Sequence, residues 1–380
     1  MGTTQPASLR EGTPSLSEGK HSPFLREVRI ISNIRVPVLA PDGKPLMPTK
    51  ASRARRWIKS GKAKPIKTKL GIFAVQLKEE PSGRDTQSIV VGLDPGAKYS
   101  GVAVVSRKSL LCGFNLELPD WIKQRMEKRR ERRRRRRQRK KGKRKAKFLN
   151  RRGCKIPPSI KARRQMELRV IQELSKVYPI RIIAVEDVAY HHKKKGFGKF
   201  FSHTESGKNW LYTELRKIAE VRLFRGWQTA LQRRKSSLQK DMRKSERVPE
   251  SHVNDAIALS ALVLGEIKHT PYYFDVIRRP KYIRRQLHYE KPAKGSIRRN
   301  YGGTTTPYVF RKGDYVEVVT RKGIIRGWVS GYNESRNLIS ISDFEWKRIG
   351  RFPPSKIRLL NRNKGFLLKS EYKYINMLAE

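Results

Sequence analysis

Apolar residues recur along this chain with two different periods, and the changes of period outline its elements. Residues 71–78, GIFAVQLK, read as a strand. The stretch QSIVVGLDPGAKYSGVAVVSR reads as two apolar strands broken at Asp94-Pro95-Gly96, where Pro fixes φ and Gly accepts a positive one. Upstream, VPVLAPDGKPLMPTKASRARRWIKSGKAKPI holds a short extended piece, an Asp-Gly turn and a basic segment, Ala51–Ser60, suited to one short helix. After KIPPS the period becomes helical: Met166, Val170, Leu174 and Val177 share a face, and Pro179 ends the pattern. IRIIAVEDV is nearly continuous in apolar, β-branched residues, as a strand buried on both faces of a sheet requires. Residues 210–242 read as helical, and SHVNDAIALSALVLGEI as a second apolar helix. From about residue 270 short alternating strands with Gly turns predict a small SH3-like barrel as a separate domain. Residues 1–25, rich in Ser, Thr, Pro and Gly, read as disordered, and 191–209 as a basic, Gly-rich loop. The expectation is an α/β protein of two or three domains.

Charge alters this picture most. The 380 residues carry 88 Lys+Arg against 33 Asp+Glu, a formal net charge of +55. Self-repulsion on that scale disfavours a compact state unless a polyanion neutralises it, and nucleic acid is the candidate partner. An anionic membrane surface is the alternative, but no stretch approaches the roughly 18 apolar residues of a membrane span. Pro6 stands where a myristoylation motif wants Ser or Thr, and no apolar segment follows a basic start as in a signal peptide. Cys112 and Cys154 are the only cysteines and lack partners at zinc spacing, which fits a reducing, cytoplasmic setting. The charge is concentrated: from Lys128 to Lys145 only Glu131, Gln138 and Gly142 are neither Lys nor Arg. A helix there places like charges at every i,i+3 and i,i+4 position, so it is destabilised unless phosphates face it.

Carboxylates are scarce, so their placement on apolar elements is informative. Asp94 follows IVVGL, Glu186 follows RIIAV, and Asp255 sits in the second apolar helix with His252 three residues before it on the same face. Three acids at the ends of core elements suit Mg²⁺, which prefers oxygen ligands. Two such ions about 3.5–4 Å apart would clamp a phosphodiester. Strand–turn–strand, strand–helix and then an acidic helix is the order of a ribonuclease H-like fold. Each acid also has a plainer reading: Asp94 as a turn residue, Glu186 as a partner of a nearby Arg with Asp187 as the competing ligand, His252 as a helix-start residue.

VVGLDPGAKYSGVAVV, IIAVEDV and SHVNDAIAL resemble the three split motifs of RuvC-like nucleases, and the arginine-rich run lies where RNA-guided effectors carry a bridge helix. KPLMPTKASRARRWIKSGKAKPI resembles the PLMP domain of the transposon-encoded IscB group, through Pro45, Leu46, Met47 and Pro48. The interval 188–250 has no strand–strand–helix framework to arrange His191, His192, His203 and Asn209 as an HNH nuclease, so the chain resembles the HNH-less IsrB relatives. This implies a disordered 1–25, a PLMP domain at 26–80, RuvC parts at 81–118, 153–190 and 246–268, and a bridge helix at 119–152. It also implies a basic loop and helical linker at 191–245 and a DNA-motif-interacting β domain at 269–380. The resemblance implies an RNA-guided DNA endonuclease that binds a structured, guide-bearing ωRNA and nicks the displaced strand of double-stranded target DNA. It would act as a monomeric protein within a cytoplasmic ribonucleoprotein.

Carried over by position, Asp94, Glu186 and Asp255 would hold Mg²⁺, two ions, and His252 would join the catalytic set. RNA would be held by Arg53, Arg55, Arg56, Arg129, Arg130, Arg132, Arg133, Arg134, Arg135, Arg136, Arg137 and Arg139, with the loop of Lys193–Lys195 and Lys199 on phosphates. Arg321, Lys322 and Arg326 are the candidates for contacting the DNA motif. Trp210, Tyr212, Phe224 and Trp227, interleaved with basic residues, are either base-stacking residues or core. An unguided resolvase of branched DNA and a non-enzymatic RNA-binding protein are the competing readings.

Overall fold

The computed structural model describes residues 35–139, 156–188, 203–242, 248–265, 267, 273–280, 306–321, 323–363 and 365–372. Residues 1–25, the arginine run beyond Arg139 with Gly142, the 191–202 part of the basic loop, Cys154 and Lys322 lie outside them. Three sheets organise the described residues. The first is formed by β1 (Arg35–Leu39), β2 (Pro45–Lys50), β3 (Ala63–Lys67) and β4 (Phe73–Leu77) in the order β2-β1-β4-β3, with helix α1 (Ala51–Lys59) beside it. Val36, Val38, Leu46, Ala54 and Val75 close its small core. The PLMP letters therefore fall on β2. Leu39 and Leu70 join the main core instead, and Lys69 Nζ lies 3.1 Å from Glu173, so this unit is docked on the central one.

The central sheet has seven strands: β5 (Ile89–Asp94), β6 (Tyr99–Ser106), β7 (Leu110–Glu117), β8 (Ile180–Glu186), β9 (Glu220–Phe224), β10 (Tyr273–Arg278) and β16 (Leu367–Tyr372). Their order is β16-β10-β7-β6-β5-β8-β9. Two antiparallel hairpin steps, β5–β6–β7, followed by parallel β8 and β9 on the other side of β5, give a mixed α/β sheet consistent with a ribonuclease H-like core.

The two-residue period of the strands sorts side chains between two helical layers. Ile89, Val91, Leu93, Ile183 and Val185 pack with Met166, Val170, Ile171 and Leu174 of α3 (Pro158–Ser175) and with Leu211 and Leu215 of α4 (His203–Arg216). Val90, Ile182 and Ala184 face the other way, toward Leu259 of α6 (Pro249–Leu264), while Ala103 and Val105 meet Val253, Ala256 and Ile257. Helices α2 (Ile122–Arg139), which carries the arginine run, and α5 (Gly226–Lys235) complete the set. Among the described residues no helix is long and apolar enough to cross a membrane.

Two sequence expectations change. Residues 210–242 are not one helical stretch: Glu220–Phe224 forms β9, a parallel edge strand whose half-exposed residues show no alternation. Residues 269–380 do not form one β domain either. β10 pairs in parallel with β7, and β16 pairs antiparallel with β10, so both ends of that stretch are built into the central sheet. Between them lie β11 (Tyr315–Thr320), β12 (Gly323–Asn333), β13 (Leu338–Ser342), β14 (Arg348–Phe352) and β15 (Ile357–Asn361), an antiparallel sheet in the order β14-β13-β12-β11-β15. Among the described residues no ladder joins β14 to β15.

One buried ion pair ties α3 to the turn after β5. Arg164 donates to both oxygens of Glu167 at 2.7 and 2.8 Å, Ser100 Oγ donates to Glu167 at 2.6 Å, and the Gly96 amide donates to Ser100 Oγ at 3.1 Å. Because Glu167 is fully buried, Glu167→Ala strands the Arg164 charge and is expected to cost about 3 kcal/mol. Replacing both partners, as Arg164→Met with Glu167→Leu, should recover most of that loss. Urea denaturation of the three variants is the check, and a single-variant loss below about 1 kcal/mol would show the pair is not needed.

Candidate active site

The register of the sheet brings the first two acids together. β5 and β8 are parallel with Leu93 opposite Val185, so the next residues, Asp94 and Glu186, stand side by side at the same sheet edge. Both belong to the face turned toward α6, since Ala184 and Ile182 lie two and four residues before Glu186 on it. Helix α6 reaches this edge because two strand positions lack a side chain. A Cβ on Gly92 would lie 1.8 Å from the Ala256 carbonyl oxygen, and one on Gly101 would lie 2.0 Å from that of His252. Pro249 opens the helix at its first turn, and His252 and Asp255, three apart, then project toward the carboxylates.

The contacts are close. His252 Nδ1 lies 2.7 Å from Asp94 Oδ2, and Glu186 stands beside Asp94 at the sheet edge. Burial alone would raise the Asp94 carboxyl, but His252, Glu186 and the Lys240 charge hold it below the usual carboxylate range. Burial and the Asp94 charge together push Glu186 up to about 8, which favours the protonated carboxyl. Asp255 also raises Glu186 through its charge. Its own oxygens are engaged, Oδ1 by Arg233 at 2.6 Å and Oδ2 by the Lys240 ammonium. His252 Nε2 is buried without a hydrogen-bond partner among the described residues.

Two carboxyls in contact require either a shared proton or a cation between them. Asp94 and Glu186 offer hard oxygen donors, Asp255 adds a third within electrostatic reach, and an orphaned imidazole nitrogen lies beside them. That donor chemistry fits a divalent ion. Among the described residues no three His, Cys, Asp or Glu side chains converge as a ready cage. The reason is local, because Arg233 and Lys240 occupy the Asp255 oxygens.

The competing acid resolves differently. Asp187 turns away to Lys208 at 2.7 Å, Arg225 at 3.3 Å and the Tyr212 hydroxyl at 3.1 Å. Tyr212 is buried core, Trp210 is half-buried with Lys161 over its ring at 5.6 Å, Phe224 is half-buried, and Trp227 alone of the four stays 68% exposed. Nothing in the sequence pattern marked Lys240 or Arg233, two of many basic residues in a run without period.

The arginine-rich helix is solvent-exposed through most of its described length, and Met126, Arg129, Arg132 and Arg133 line a cleft of about 440 Å³ on it. Arg130, Arg134 and Arg135 are exposed on the same helix, which continues through positions 136, 137 and 139. Arg53, Arg55 and Arg56 are exposed on α1, while Ala54 is buried and Ala51, Trp57 and Ile58 pack on the same core. On the five-stranded sheet, Arg321 is exposed, whereas Arg326 is committed to Glu317 at 2.9 Å, which Arg358 also binds at 2.6 Å. A polar cleft of about 550 Å³ lies elsewhere on this sheet, lined by Tyr332, Asn333, Ser335, Arg348 and Arg351. Bulges put the two arginines on one side: Ser342 pairs with Arg348 but Ile341 with Gly350, leaving Ile349 as the extra residue.

Among solved structures, the chain is similar to Thermus thermophilus RuvC in complex with a Holliday junction substrate, at 16% identity over 47% of this chain and 97% of that one, with a TM-score of 0.28. A second structure, of Thermus thermophilus RuvC, is 16% identical over 46% of this chain and 93% of that one, with a TM-score of 0.24. No curated protein matches the chain. The family model described as RRXRR protein matches residues 36–204, a span that takes in β2, Asp94, the arginine-rich helix and Glu186 and stops short of His252 and Asp255.

Proposed function

We propose that the protein is a RuvC-like, Mg²⁺-dependent DNA endonuclease of the IsrB kind, guided by a structured RNA and cutting the displaced strand of its target. The observation that carries this reading is the meeting of Asp94, Glu186 and His252 at one sheet edge, with Asp255 on the adjoining helix turn. Asp94, Glu186 and Asp255 are the residues that would hold the metal, which when bound supplies Lewis-acid polarisation of a phosphodiester. Asp94 fixes the His252 ring through Nδ1, and the role proposed for His252 is to orient the scissile phosphate or assist proton transfer once substrate opens the buried Nε2 side.

The guided reading is supported by the placement of the charge. Exposed arginines on α1 and α2 offer contacts to an RNA backbone, and base pairing would then supply a sequence specificity that a protein of this size cannot encode itself. The cleft with Arg348 and Arg351 suits DNA-motif contacts better than Arg326, whose charge is spent on Glu317. Expression together with the DNA flanking the gene, sequencing of the co-purified RNA and cleavage of strand-labelled duplexes test the whole reading. One homogeneous structured transcript with one strand cut is the expected result. Cutting of branched DNA without RNA would establish the resolvase reading instead, and RNA binding without any cleavage the non-enzymatic one.

Replacing Arg132, Arg133, Arg134 and Arg135 by Gln should lower the slope of log K against log salt for RNA binding by about 3, as four phosphate contacts disappear. Filter binding between low and moderate salt measures it. An unchanged slope would place the RNA elsewhere.

A further inference from the structure

We infer that Lys240 is a built-in counter-cation of the carboxylate cluster, which a divalent ion must displace on entry. The inference rests on the metal reading above and concerns a residue to which that reading gives no role. Lys240 Nζ donates to the Ser251 carbonyl at 2.7 Å and to Asp255 Oδ2, while Arg233 donates to Asp255 Oδ1 at 2.6 Å. Both Asp255 oxygens are thus covered by cations from outside α6. Lys240 thus places a full positive charge on the acid that α6 brings to the Asp94 and Glu186 edge, the position a metal ion would need.

The segment that delivers it is built for the purpose. Residues 236–242, the described part of the chain that follows α5, hold no helix, and each side of Lys240 is pinned. Asn254 Nδ2 donates to the Gln239 carbonyl at 2.8 Å, the Asp241 amide donates to the Glu250 carbonyl at 3.3 Å, and Leu238 is buried against the α6 residues. The backbone is held, so displacement of the ammonium falls to the four-carbon stem, whose rotatable bonds let the charge leave without moving the chain. With Lys240 in place the cluster is compensated without metal. With Lys240 withdrawn, Asp255 is released on one oxygen, and the acids carry the excess negative charge that draws a divalent ion.

The test is Mn²⁺ titration of the full-length protein followed by electron paramagnetic resonance, with Asp94→Asn as the background for binding elsewhere. Lys240→Gln should bind the site-specific Mn²⁺ about tenfold tighter than wild type, a difference of about 1.4 kcal/mol. Lys240→Arg, which keeps the charge, should stay near wild type. Metal-free Lys240→Gln should also melt earlier and gain more on Mn²⁺ addition. If it does not fold without metal, refolding on Mn²⁺ supports the inference, and failure to refold overturns it. Wild-type binding with no tightening in Lys240→Gln, or equal tightening in Gln and Arg, overturns the counter-cation while the metal site stands. Wild-type binding no greater than that of Asp94→Asn removes both.

Discussion

Asp94→Asn is expected to lower Mg²⁺-dependent DNA cleavage by about a thousandfold, an effect of the size seen when a group that stabilises transition-state charge is removed, while leaving RNA binding and the fold intact. Both halves of that result follow from the proposed function and the geometry of the site. Asp94 is the acid that His252 contacts, at 2.7 Å, and it stands beside Glu186 at the sheet edge. Asparagine keeps the size and an acceptor oxygen for His252, but it removes the full negative charge that a hard cation requires. Stability should hold or rise, because two buried acids in contact cost energy that one acid and one amide do not. Thermal melting beside strand-resolved cleavage separates the outcomes. Activity within tenfold of wild type at unchanged melting temperature would sink the nuclease assignment at this site. Lost activity with a collapsed melting temperature would show only that Asp94 is structural.

The candidate site was partly legible in the sequence because strand alternation has direct chemical consequences. Placing Ile182 and Ala184 on the α6 face already puts Glu186 there and Asp187 on the other, so the choice between the adjacent acids was decidable from period alone. The positions of Asp94 at the end of β5 and of His252 and Asp255 on one helix face were legible for the same reason. Pairing partners were not. β10, YFDVIR, looks like any strand of the five-stranded sheet, and alternation states which side faces a core without stating which strand lies alongside. β9 escaped notice because an edge strand of half-exposed residues has neither period. Lys240 was invisible for a different reason. Its role comes from a non-helical connection held by side-chain and backbone hydrogen bonds to α6, and such contacts leave no periodic trace.

Gly101→Ala, a single methyl group, is expected to cost about 3 kcal/mol of stability and, in the protein that remains folded, about a hundredfold in cleavage rate. The new Cβ would lie 2.0 Å from the His252 carbonyl oxygen, 2.3 Å from its carbonyl carbon and 2.9 Å from the Val253 nitrogen. These are backbone atoms of α6, so no rotamer change relieves the clash. The helix must recede by about 1 Å from a core packed too densely to absorb it. His252 moves with its backbone, and its 2.7 Å contact with Asp94 is lost. Gly83→Ala is the control, since a Cβ there meets nothing within 4 Å, and it should change stability and rate little. Urea denaturation and single-turnover cleavage of both variants test the claim. If Gly101→Ala behaves as Gly83→Ala does, the approach of α6 to the sheet is not what assembles the site. If stability falls but the rate per folded molecule does not, His252 has no part in the chemical step.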